Sequence, residues 1–149
     1  MGRVASWIAL TLSVATVNAF AADPHLVDGV SGAPITWSDW VARRGPVAVL
    51  VWASWAPDAK AAIDHQPQLE AVCAEAGLHL VVLDVQETLE DGRRALESLD
   101  ISWLHDRHGA LLKNYRVITV PSLLIVSAQG EALTRLDATA EAVRAWSAR

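Results

Sequence analysis

The sequence predicts an α/β domain with a central mixed β-sheet flanked by α-helices, and three observations predict it. Apolar runs of strand length at Val47–Trp52, 78–85 and Ser122–Val126 are rich in β-branched residues and bounded by Pro or Gly. Segments with one apolar face at helical spacing separate them, at 59–76 and 89–99. The chain then closes on an alternating run at 131–135, after the turn Ala128-Gln129-Gly130, and an apolar-striped segment at 138–147. Strand–helix alternation followed by a hairpin and a helix requires parallel and antiparallel pairs in one sheet.

At 149 residues the chain is the length of one domain with a sizeable core. Residues 1–21 read as a secretory signal peptide. Arg3 supplies the positive start, residues 7–17 are largely apolar, and Ala19-Phe20-Ala21 fits the small-x-small cleavage rule, with the cut after Ala21. The competing reading is an uncleaved membrane anchor. Ser6, Thr11, Ser13, Thr16 and Asn18 break the apolar stretch, which falls short of the ~20 residues a span requires. No other long apolar run follows, so no membrane contact is expected once the signal is removed.

Residues 22–45, rich in Gly, Pro, Ser and Asp and carrying Trp37 and Trp40, read as a lead-in segment with a short helical turn at 38–43; residues 46–149 form the domain. Pro46 opens the first strand, whose unbroken apolar character suits a central position covered on both faces. Pro57 sits where a first helical turn accepts proline, and Asp58 complements the positive end of the helix dipole. Ile63, Leu69, Val72, Cys73 and Ala76 make one apolar face along 59–76. Gly77 stops that helix, and Pro67 inside it should kink it. A shorter helix is expected at 110–115.

Net charge is −5 and Arg43-Arg44 and Arg93-Arg94 are only pairs, so nucleic acid is not an expected partner. Cys73 is the one cysteine, which excludes an intramolecular disulfide.

The element order, with Trp52-Ala53-Ser54-Trp55-Ala56-Pro57-Asp58-Ala59-Lys60 after the first long strand and Thr119-Val120-Pro121 before the third, resembles the thioredoxin superfamily. It is most similar to the TlpA/ResA/DsbE-type periplasmic proteins, which carry Phe/Trp-Ala-x-Trp-Cys-x-x-Cys-Lys/Arg at this place. Their later Asp-x-x-Gly stretch, Tyr-x-Val and Val-Pro turn correspond to Asp106-Arg107-His108-Gly109, Tyr115-Arg116-Val117 and Val120-Pro121-Ser122. The resemblance spans roughly residues 32–146 and implies a thioredoxin-like fold and a periplasmic location.

Mapped residue by residue, the nucleophilic cysteine falls on Ala56 and the resolving cysteine on Ala59. Alanine has no group that ionises, attacks sulfur or is oxidised, so no dithiol cycle is expected here. The position that in thioredoxins often holds a buried proton-shuttling carboxylate is Leu50. Pro121 resembles the family's cis-proline, which exposes the backbone of the preceding residue, here Val120, for strand-like pairing with a peptide. The chain departs from the pattern at two places. Pro67 follows Ala59 by eight residues rather than about five, and the proline before the strand ahead of Asp106 is absent, with Trp103 in that region.

The resulting expectation is a redox-inactive protein that binds an extended polypeptide or an envelope-biogenesis partner without a covalent bond. Val120 would pair through its backbone in the Pro121 turn, with Trp55, Ala56 and Pro57 as a shallow apolar floor, and no cofactor is implied. One alternative is a thiol-disulfide oxidoreductase whose cysteines were replaced, in the lineage or by design. Another is a periplasmic metal-binding protein using His105 and His108. Soft thiolate ligands are absent there, and the two histidines are expected to flank an exposed turn ended by Gly109. Cys73 falls in the buried stripe of its helix and is expected to be structural. Trp52 is expected in the core, Trp55 partly exposed, and Asp58 as a solvated carboxylate at the helix start.

Overall fold

The computed structural model describes residues 23–149; the predicted signal peptide lies outside them. The lead-in segment contributes a hairpin, β1 (His25–Asp28) and β2 (Pro34–Thr36), then α1 (Trp37–Arg44). The domain continues through β3 (Val47–Trp52), α2 (Ala59–Asp64), α3 (Gln66–Glu75), β4 (His79–Val85), α4 (Leu89–Leu96) and β5 (Trp103–Asp106). It closes with α5 (Ala110–Asn114), β6 (Ser122–Val126), β7 (Ala132–Leu136) and α6 (Ala140–Ser147). All seven strands join one mixed sheet in the order β2-β1-β5-β4-β3-β6-β7.

The predicted mixed, helix-flanked α/β architecture is the observed one. β3 runs parallel to β4 and antiparallel to β6, and β4 is parallel to β5. Successive side chains of a strand point to opposite faces, and all six residues of β3 are buried, so both faces of the sheet centre are covered. α3 packs against β4 and α6. No described helix is long and apolar enough to cross a membrane.

Several elements differ from expectation. The segment 59–76 is two helices rather than one kinked helix. The break is at His65, and Pro67 occupies the first turn of α3, where its absent N–H leaves no hydrogen bond unmade. Pro57 lies outside the helix, in the turn before Asp58, which itself adopts a left-handed backbone (φ 62°) without capping through its side chain. Periodicity marks no strand at 23–36 or at 103–106. β1 and β2 are too short for alternation to register, and in β5 the residues Trp103, Leu104, His105 and Asp106 are all buried although half of them are polar.

Tryptophan and tyrosine tie the lead-in segment to the domain. Trp37 stacks on Trp40 with ring centroids 5.5 Å apart, and its indole N–H donates to the Tyr115 hydroxyl at 2.8 Å. The Tyr115 hydroxyl donates in turn to the Gly130 carbonyl at 2.6 Å. α1, the end of α5 and the β6–β7 turn are thereby fixed to one another by a buried chain of hydrogen bonds.

Candidate functional site

The candidate site is built where β3 ends. The strand delivers Trp52 into the core at 3% exposure, and its indole N–H donates across the following loop to the Ala59 carbonyl at 2.8 Å. That bond pins the start of α2 against the sheet. Between the two, Ala56 N–H bonds the Ala53 carbonyl at 3.1 Å and Ala59 N–H bonds the Ala56 carbonyl at 3.2 Å, a tight turn leading into the helix. Ala56 and Ala59 therefore sit at the helix start, both buried, and Trp55 stands beside them half exposed at 55%. Leu50 is wholly buried in β3.

The loop is held from outside by Glu87, whose carboxylate accepts from Ser54 N–H at 3.1 Å and from the Ser54 hydroxyl. Glu87 follows β4, so the loop after one central strand is anchored to the loop after its parallel neighbour.

Opposite the helix start, the Val120–Pro121 peptide is cis. Among the described residues no backbone hydrogen bond engages Ile118, Thr119 or Val120, so this stretch presents free N–H and C=O groups. Unpaired backbone polar groups seek partners, and an extended peptide supplies them in strand-like register. Ile118 is almost fully exposed, at 96%. Beside this stretch lies a groove enclosing about 750 Å³ between the α2 region and the start of α6. Of the residues singled out from sequence, Pro57, Val120 and Pro121 line it; Trp55 and Ala56 do not, the first standing outside it and the second buried beneath the loop. Its far wall, with Asp137, Glu141 and Arg144, comes from a region with no local signal for a site, because α6 reaches the groove only through the fold.

A second polar constellation, also unforeseen, lies on β4 and β5, outside the groove lining. Asp84 on β4 is fully buried, and its Oδ2 is 2.8 Å from Nδ1 of His105 on β5, itself buried. His105 therefore corrects the expectation of an exposed histidine flanking a turn. The turn begins two residues later, at Arg107, and the strand carries the imidazole inward; His108 is the exposed one. Burial first, then the neighbouring Glu87 carboxylate and Asp91, push the Asp84 carboxyl up to about 9. Burial lowers His105 from its ordinary value. Both shifts favour a neutral carboxylic acid facing a neutral imidazole. The available clue was a lone carboxylate in the otherwise apolar run 80–85. Asp106 has a structural task, its two oxygens accepting from Ala110 N–H and Leu111 N–H at 2.9 Å each to cap α5.

Cys73 is fully buried in α3, and burial, with Glu70 adding, pushes its thiol up to about 11. It is protonated at neutral pH and unreactive. Among the described residues no group of three His, Cys, Asp or Glu side chains is placed to hold a metal ion, and His105 and His108 face different surroundings.

No protein-family model matches the chain, and no curated protein matches it. Solved structures do. The pneumococcal exposed lipoprotein thioredoxin Etrx1 of Streptococcus pneumoniae superposes with a TM-score of 0.65 at 20% identity, over 85% of this chain and 98% of that one. A thiol:disulfide interchange protein from a Bacteroides species gives 0.64 at 14% identity, over 85% and 88%. A secreted disulfide oxidoreductase of Mycobacterium tuberculosis, homologous to Escherichia coli DsbE, gives 0.58 at 20% identity, over 77% and 83%. With helix start, prolyl turn and mixed sheet disposed as described, the chain has the thioredoxin-like fold that these structures share.

Proposed function

We propose that this protein works in the bacterial periplasm as a redox-inactive thioredoxin-like binding protein that holds an extended polypeptide without covalent capture. The observation that carries this reading is the unpaired backbone of 118–120 beside an open groove, next to a helix start whose Ala56 and Ala59 carry no group able to exchange disulfides. The periplasmic assignment rests on the signal-like residues 1–21 and on the likeness to a secreted disulfide oxidoreductase. A complex built on backbone hydrogen bonds and shallow apolar contact is reversible, because no bond must be broken for release.

Two measurements test the reading. The mature protein should show no insulin reduction and no disulfide exchange, whereas turnover by the chain as it stands overturns the proposal. A short β-forming peptide should bind reversibly, and N-methylation of the peptide amide that pairs with Val120 should weaken it about tenfold, the loss of one hydrogen bond. Equal binding of the methylated and unmethylated peptides removes backbone pairing as the mechanism. An Ala56→Cys/Ala59→Cys protein shows separately whether the scaffold supports exchange once sulfur is supplied.

A further inference from the structure

The groove is not electrically neutral. Asp58 stands at the α2 end, and Asp137 and Glu141 stand where β7 passes into α6. All three carboxylates are exposed, and none has an ion-pair or side-chain hydrogen-bond partner among the described residues. Arg144 is the one lysine or arginine in the lining. The nearby Lys60 lies outside it and is engaged with Asp64 at 2.6 Å. His65 also lines the groove, with its Nδ1 2.7 Å from the Ala61 carbonyl of its own helix turn. The N-terminus of α6 adds about half a positive charge. Three carboxylates outweigh Arg144 and that dipole together, and the rest of the lining is largely small or apolar: Pro57, Ala61, Ala62, Val120, Pro121, Ala138 and Ala140 among them.

We propose that the groove selects an extended peptide carrying a lysine or arginine, whose cationic group settles among Asp58, Asp137 and Glu141 while the peptide backbone pairs at Val120. The proposal rests on the binding reading above and names its ligand class. A backbone edge alone accepts any β-forming peptide, so specificity has to come from the side chain that reaches across to α6. The long aliphatic stem of lysine or arginine suits the small and apolar residues of the lining, with its charged end left partly in water. An acidic side chain in the same place would meet uncompensated carboxylates, and that repulsion excludes the wrong ligand as much as attraction secures the right one. The chain's net charge of −5 acts in the same sense at longer range.

The test uses the mature protein and three peptides of equal length and alternating β-forming sequence, differing only in a central lysine, alanine or glutamate. Dissociation constants are measured by calorimetry at low and at physiological salt. The expected order of affinity is lysine, alanine, glutamate, with about tenfold between the extremes at low salt and a smaller ratio at high salt, because exposed charges are screened. Asp137→Lys/Glu141→Lys, both on the surface, should reverse the order. Equal binding of the three peptides, or tightest binding of the glutamate peptide, overturns the charge selection while leaving the backbone-binding reading standing. Failure of all three to bind overturns both.

Discussion

Asp84 Oδ2 and His105 Nδ1 lie 2.8 Å apart on adjacent parallel strands, with both side chains buried. Asp84 Oδ1 and His105 Nε2 have no partner among the described residues. Such a pair resists carrying net charge and retains one proton between its members over a wide range.

That retention sets the pH dependence of stability. In the unfolded chain the aspartate loses its proton near its ordinary value of 3.8 and the histidine near 6.5. In the folded protein Asp84 keeps a proton until about 9, so between about 6.5 and 9 the folded form holds one proton more than the unfolded one. Stability should therefore fall as pH rises through that window and be nearly flat just below it. Urea unfolding at pH 6 and at pH 9 should show the loss, and Asp84→Asn, neutral throughout, should abolish most of it. A wild-type stability that rises from 6.5 to 9 would contradict the neutral pair.

Gly92 in α4 is where the helix comes closest to this pair. A Cβ there would lie 2.3 Å from Asp84 Oδ2 and 3.1 Å from the Trp103 ring. Alanine ordinarily stabilises a helix interior by about 1 kcal/mol over glycine. Gly92→Ala should nonetheless destabilise by about 1–3 kcal/mol, the usual cost of overpacking, because Asp84 cannot move without leaving His105. Thermal unfolding measures the sign directly.

Cys73 should resist thiol reagents in the folded protein. With its thiol pushed up to about 11 and its side chain sealed in α3, labelling should follow unfolding only. Rapid stoichiometric labelling under native conditions would show α3 to be far more open than the structure has it.

Asp106→Ala should cost about 1–2 kcal/mol, since it removes the acceptor for two N–H groups at the start of α5. Peptide binding should be unchanged, because Asp106 does not line the groove. A denaturant melt paired with a binding titration separates the two effects.

Much of the fold was legible along the chain because its signals are local. The β3, β4 and β6 runs are long, apolar and punctuated by Pro or Gly, and the helix faces of α4 and α6 repeat at helical spacing. The short β1 and β2 carry too few residues for a pattern, and β5 hides behind polar letters. His105 reads as a turn residue until Asp84, twenty-one positions earlier, is brought alongside it.

Sequence by itself determined the α/β class and the absence of a thiol at 56 and 59, because apolar period and residue identity are properties of neighbours on one chain. Tertiary structure alone decided the acidic wall of the groove, the buried Asp84–His105 pair and the free backbone at 118–120. Each depends on which distant groups meet, or fail to meet, once the sheet has placed β4 beside β5 and α6 across from α2.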